Sequence, residues 1–204
     1  MTDYAAWLID LDGTLYRSLP VKVAMGIELC FAGRRVRRVI GAFRREHEAL
    51  RHSESSSDTS PFETQLACTA ERLRCPIEEV RQIVDDWMFA RPGRWLRRFR
   101  RRELLAEIAR FRASGGRTAL VSDYPARVKL AALGAAELFD VVVANGETSR
   151  PYRLKPSPQA FLEAAQQLGI SPAECLVIGD RLDADGMAAQ QAGMAFRLIA
   201  GSKK

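Results

Sequence analysis

The chain has 204 residues, 47% hydrophobic and 27% charged, the make-up of a globular protein with one ordinary domain or one domain carrying a smaller insert. No apolar run approaches the roughly 18 residues that cross a bilayer, and Met1-Thr-Asp-Tyr lacks the basic and apolar regions of a secretory leader. A cytoplasmic location without membrane attachment is therefore expected.

The net charge of +6 comes from arginine: of 31 basic residues only Lys22, Lys129, Lys155, Lys203 and Lys204 are lysines. The arginines cluster in Arg34-Arg35-Val36-Arg37-Arg38 and again between Arg94 and Arg102. Such a surface could hold nucleic acid, steer a small anionic substrate toward a cleft, or simply form solvated helix faces; charge runs alone are weak signals, and nucleic acid is not the expected partner. Cys30, Cys68, Cys75 and Cys175 form no CxxC pair, so free thiols are expected rather than disulfides or zinc. His47 and His52 lack the i, i+4 spacing that puts two ligands on one metal, and surface positions are expected for both.

In chain order, Ala5 to Ile9 reads as a short buried strand that delivers Asp10 and Asp12 into a turn at Gly13. Strand alternation places the two aspartates on one side while the chain stays extended. Carboxylates so close would repel unless a cation lay between them. Beyond Pro20, Val23, Ile27, Cys30 and Phe31 recur at helical spacing, and Val36, Val39, Ile40 and Phe43 continue it, with Gly33 and Gly41 as possible breaks. The polar stretch 52–61 is a loop by composition. Further helices are predicted from Phe62 to Leu73 and from Pro76 through Val80, Ile83, Val84 and Trp87, ending at Arg91-Pro92-Gly93. Residues 19–92 thus read as an all-helical insert between 1–18 and 93–204.

After Pro92 the pattern changes. Leu96, Phe99, Leu104, Leu105, Ile108 and Phe111 mark an amphipathic region that stops at Ser114-Gly115-Gly116. Apolar strands at 118–122, 139–143, 175–178 and 195–199 alternate with helices at 125–133, 158–168 and 185–192. This predicts an α/β fold, a Rossmann-like parallel sheet with helices on both faces, plus the inserted α-helical cap domain. Ligands of such sheets bind at the carboxyl ends of the strands. Those ends collect Asp10 and Asp12, then Ser122 and Asp123, then Gly179, Asp180, Asp183 and Asp185, with Lys155 between the third strand and its helix.

This set resembles the four motifs of the haloacid dehalogenase superfamily. Asp10-Leu-Asp12-Gly-Thr-Leu is similar to the first, Ser122 to the second, Lys155-Pro-Ser-Pro to the third, and Gly179-Asp180-Arg-Leu-Asp183-Ala-Asp185 to the fourth. The resemblance covers the N-terminal strand and residues from about 103 to 200, and the insert sits where the family places its first type of cap. It implies a Mg2+-dependent phosphatase acting on a small phosphorylated metabolite. Asp10 would be the nucleophile that forms an aspartyl-phosphate and a metal ligand. Asp12 would be general acid, then base, and would offer the metal its backbone carbonyl. Asp180 and Asp185 would complete the metal site. Ser122 would bind a phosphoryl oxygen, Lys155 would supply positive charge, and Gly13 and Asp123 would border the substrate.

Asp183 competes with Asp185 for the metal role, and the family spacing fits Asp185 better. Asp123 has a second reading as the cap of the helix near Pro125. Three rival functions share the fold: a 2-haloacid dehalogenase, which would have no use for Asp12; a phosphomutase, which keeps both aspartates; and a binding protein using arginines to hold RNA or protein. The insert would close over the site, with Arg34, Arg35, Arg37 and Arg38 toward the incoming substrate.

Overall fold

A computed structural model describes residues 4–51, 59–148 and 153–199. Five strands, β1 (Ala6–Asp10), β2 (Arg117–Ser122), β3 (Val141–Ala144), β4 (Cys175–Gly179) and β5 (Ala195–Leu198), form one parallel sheet in the order β3-β2-β1-β4-β5. The chain winds outward from β1 to β3, then returns to the other side of β1 for β4. The carboxyl end of β1 therefore lies at the point where the order reverses, the place where open α/β sheets hold ligands. Among the described residues no helix is long and apolar enough to cross a membrane.

Alternation sorts the strand residues between two cores. Ile9, Leu120 and Ile178 pack on one face with Leu104, Ile108, Leu130 and Leu133. These come from helices α6 (Arg102–Ala113) and α7 (Arg127–Leu133). Ala6, Leu8, Val121 and Val177 pack on the other face with Phe161, Ala164 and Ala188. Their partners are α8 (Gln159–Leu168) and α9 (Met187–Gln191). Strands buried on both faces need continuous apolar sequence, as Thr118 to Val121 and Cys175 to Ile178 provide.

The helices before α6 are α1 (Ser18–Phe31), α2 (Arg34–Arg51), α3 (Pro61–Leu73), α4 (Ile77–Val84), which runs into a π-helical turn at Asp85–Ala90, and α5 (Gly93–Phe99). The predicted first long helix is broken at Ala32-Gly33, and the predicted region 96–111 is split at Arg100-Arg101 into α5 and α6. There the departing and returning strands of chain are stitched together: Arg17 N–H donates to Phe99 O at 3.0 Å and Arg101 N–H to Leu15 O at 2.8 Å. Val39, Ile40, Phe43, Phe62, Leu66, Val80, Val84 and Phe89 make a third cluster among α2, α3, α4 and the π turn. Phe43 is fully buried there, a burial worth about 1.5–3 kcal/mol. Arg35 with Glu79 and Arg81 with Glu63 clamp the same helices together.

Helix α1 differs from its sequence pattern. Val21 and Met25 face the first core, whereas Leu19, Val23, Ile27 and Phe31 are exposed. The helical period is real, but the stripe of larger residues lies on the solvent side. His47 also departs from its expected surface place: it is 3% exposed, stacked on Tyr124 at 4.3 Å. His52 lies outside the described residues, as does most of the polar stretch 52–61. The four cysteines are free.

Candidate active site

Strand β1 stops at Asp10, and the chain turns at once, with Thr14 and Leu15 N–H groups both donating to Leu11 O. The extended form does not persist to Asp12, so the two aspartates diverge. Asp10 projects toward the α8 side, where Lys155 Nζ donates to its Oδ1 at 2.5 Å and Thr14 Oγ1 to its Oδ2 at 2.9 Å. Asp12 turns toward α7, where Lys129 Nζ donates to both of its oxygens at 2.7 and 2.8 Å. The Tyr16 hydroxyl donates to Asp12 Oδ1 as well. Each carboxylate thus has its own lysine within hydrogen-bond distance.

Alternation also explains how the fourth motif reaches Asp10. Ala6, Leu8 and Asp10 share a face with Cys175, Val177 and Gly179. A Cβ on Gly179 would stand 2.5 Å from the Asp185 carboxyl carbon, so the bare backbone leaves the space that Asp185 fills. The Arg181 N–H and Lys155 Nζ then fix Asp185, at 3.2 and 2.7 Å. Gly13 has φ +100°, and a Cβ there would lie 2.0 Å from Asp180 Oδ2. Glycine is needed at Gly13 both for the left-handed turn and for room beside Asp180.

Asp10, Asp180 and Asp185 each offer an oxygen within 4.8 Å of the others. Burial first, then Asp185 and Asp180 against the pull of Lys155, pushes Asp10 well above the usual carboxylate range. Burial and Asp185 raise Asp180 too. Lys155, only 3% exposed, is desolvated, yet Asp10 and Asp185 hold its proton more tightly than usual. Three crowded carboxylates that offer only oxygen donors, with Asp10 and Asp180 raised in proton affinity, suit a hard divalent cation such as Mg2+. The Asp12 carboxylate is not in that set. Although burial opposes ionisation, Lys129 and the Tyr16 hydroxyl hold Asp12 below the usual range.

Ser122 ends β2, 2% exposed, and its Oγ accepts the Tyr124 N–H at 3.2 Å. Asp123 does not cap α7, which begins at Arg127 with its N–H held by Glu147. Instead Asp123 Oδ1 accepts the Lys155 N–H at 3.2 Å, which ties the second motif to the third. Asp183 is exposed and paired with Arg181 at 2.6 Å, apart from the carboxylate cluster that contains Asp185. Arg34, Arg37 and Arg38 line an open groove on the outer side of α2 with Gly41 and Arg45, while Arg35 is bound to Glu79. None of the residues that line this groove belongs to the acidic crevice.

Lys129, Tyr16 and Arg51 are site neighbours that motif reading passed over. Lys129 is 5% exposed and lies 5.5 Å from the Phe89 ring and 5.6 Å from the Tyr124 ring. Its only sequence signal was its scarcity: a lysine in a chain that otherwise uses arginine.

A family model described as haloacid dehalogenase-like hydrolase matches residues 4–193, and the chain belongs to that family. Glyceraldehyde 3-phosphate phosphatase of Methanopyrus kandleri is 44% identical over 66 residues, 32% of this chain and 27% of the relative. Fructose-1-phosphate phosphatase YqaB of Escherichia coli K12 is 41% identical over 69 residues, 34% and 35% of the two chains. The chain thus covers about a third or less of the length of these relatives. The structure of L-2-haloacid dehalogenase from Xanthobacter autotrophicus superposes with a TM-score of 0.65 at 17% identity, over 98% of this chain and 79% of that one. That likeness is one of fold.

Proposed function

We propose that the chain is a Mg2+-dependent phosphatase that hydrolyses a small phosphorylated metabolite through an aspartyl-phosphate on Asp10. The observation that carries this reading is the cluster of Asp10, Asp180 and Asp185 bridged by Lys155, with Asp12 held separately two residues beyond Asp10. Relatives named for glyceraldehyde 3-phosphate and fructose 1-phosphate support the substrate class. The free cysteines fit a reducing compartment, and the cytoplasm is the proposed location.

Asp10, Asp180 and Asp185, with the Asp12 backbone carbonyl, would hold the ion. When bound, Mg2+ supplies charge that offsets the repulsion between a phosphate dianion and a carboxylate nucleophile. Asp10 attacks phosphorus as the bond from phosphorus to the leaving oxygen breaks, and Asp12 gives that oxygen its proton. Water then attacks the aspartyl-phosphate, Asp12 takes the water proton, and Asp10 is regenerated with release of phosphate. Lys155 and Ser122 stabilise the charge on the transferred group. Lys129 and Tyr16 aim the Asp12 carboxylate and keep it ionised for the base half. The acid half needs a proton on Asp12, which an incoming dianion favours by offsetting Lys129. Retention of Asp12 favours phosphate chemistry over dehalogenation, because a halide leaving group needs no proton.

Hydrolysis of p-nitrophenyl phosphate with Mg2+ tests the reading. Chelation should abolish turnover and added Mg2+ should restore it. Turnover that ignores the chelator would overturn the metal's role, and failure on every phosphomonoester tried would overturn the phosphatase reading.

A further inference from the structure

Helix α1 carries two apolar faces. Val21 and Met25 are buried in the first core, while Leu19, Val23, Ile27 and Phe31 stand 65%, 54%, 58% and 88% exposed in a single row. The row is about 18 Å long, from the rise of an α-helix. Single surface aliphatics need no explanation, but an aligned row that ends in an almost fully exposed phenylalanine marks an interaction surface. Charge is nearly absent from α1, where Lys22 and Glu28 are the only charged residues. Glu28 is taken up by Arg94 and by the Trp95 indole N–H, each donating to its Oε1 at 2.6 Å.

The row runs into a cationic groove. Arg37 Nη1 donates to the carbonyls of Cys30 and Ala32, both at 2.8 Å, so the arginine face of α2 begins against the last turn of α1. Arg34, Arg38 and Arg45 line the groove with Arg37 and Gly41, and no acid is among the lining residues. Positions 34, 38, 41 and 45 repeat at helical spacing, which puts three arginines on one stripe of α2. An apolar row with a cationic, acid-free flank is complementary to a surface that is apolar inside and anionic outside.

We propose that α1 and the arginine face of α2 dock on anionic phospholipid at a bilayer surface. Ile27 and Phe31 would enter the headgroup boundary, and Arg34, Arg38 and Arg45 would lie against the phosphates. Surface docking needs no spanning helix, and the described residues contain none long and apolar enough to cross a membrane. It departs from the expected absence of membrane attachment, and it does not rest on the phosphatase reading. A second copy fits the surface less well. The four side chains fall short of the roughly 800 Å² that each partner of a standard interface buries, and a second copy would leave the arginines without a counter-charge.

The test mixes the full chain with vesicles of phosphatidylcholine alone, or of phosphatidylcholine and phosphatidylglycerol in equal parts, and measures binding by flotation. Wild type is expected on the mixed vesicles and not on phosphatidylcholine alone. Ile27→Ser combined with Phe31→Ser should lower the partition coefficient by about tenfold or more, since two apolar side chains lose their insertion. Arg34→Gln, Arg38→Gln and Arg45→Gln together should also lower it by about tenfold or more. All five residues are exposed, so the thermal midpoints of both variants should match wild type. Phe31→Trp reads insertion directly: lipid with brominated acyl chains should quench its fluorescence beyond the quenching seen for wild type. Wild type that stays off the mixed vesicles, or binds phosphatidylcholine alone equally well, would overturn the proposal. So would an Ile27/Phe31 variant that binds like wild type, which would mean charge adsorption alone, an arginine variant that does so, or Phe31→Trp fluorescence quenched no more than wild type. If lipid-free sedimentation shows a dimer that the Ile27/Phe31 variant dissolves, the row belongs to a second copy, and the proposal fails.

Discussion

Lys129 reaches Asp12 from α7, a helix whose other inward residues, Leu130 and Leu133, are ordinary core. Its ammonium is desolvated by Phe89 and Tyr124, so its partner is chosen by geometry rather than by free exchange with solvent. Replacing Lys129 with Met keeps most of the volume and removes the charge that aims Asp12. We expect kcat on p-nitrophenyl phosphate to fall by about 10²-fold, the scale of a misplaced general acid or base. A variant with unchanged kcat would show that Asp12 needs no such partner. Asp10, Asp12, Ser122, Lys155 and Asp180 were legible because each follows a strand or opens a motif. Lys129 and Arg51 were not. They become neighbours of the site only when α7 and α2 fold against the sheet, and no spacing along the chain encodes that.

At the scale of elements, β4 matters through what it lacks. Gly179 falls on the Asp10 face, and the absence of a side chain admits Asp185 from the π-helical turn Leu182–Gly186. Gly179→Ala should displace Asp185, free Lys155 from one of its two partners and weaken Mg2+ binding. Calorimetric titration of Mg2+ into the variant is expected to show at least tenfold weaker binding, as when a ligand's support is lost. Equal affinity would exclude Asp185 from the metal's surroundings.

Helix α2 offers a separate check through His47, whose proton affinity is lowered by burial, with Arg51 adding to this against Asp123. In the unfolded chain the imidazole protonates near its ordinary pKa of about 6.5. In the folded chain it protonates only at lower pH. Between those values the unfolded state binds more protons, so this contribution to stability is complete above about pH 6.5 and is lost as pH falls below it. Denaturant unfolding at pH 7.5 and 5.5 should show a smaller drop for His47→Gln than for wild type. Equal drops would contradict the burial of a neutral His47.

Across the whole molecule, the alternation of apolar strands and helices made the parallel sheet readable in advance, because doubly buried strands leave an unmistakable run of aliphatic residues. The insert was readable as helix but not in its packing. The exposed ridge Leu19, Val23, Ile27 and Phe31 has the same period as a buried one, and the break at Ala32-Gly33 turns α2 to bury Val39, Ile40 and Phe43 instead. The turn after Asp10 likewise could not be read from alternation, which holds only while a strand continues. What these levels build together is one carboxylate, Asp10, at the reversal point of the sheet, with a lysine and two further acids around it.

The most direct test of its proposed role as nucleophile is the kcat of Asp10→Asn on a phosphomonoester with Mg2+, measured beside its thermal midpoint. Lys155 keeps Asp185 as a partner in that variant, so the midpoint should stay close to that of wild type. Turnover is predicted to fall by at least about 10³-fold, since the amide cannot form the covalent intermediate. A folded Asp10→Asn protein that retains more than about a tenth of wild-type kcat would contradict the account.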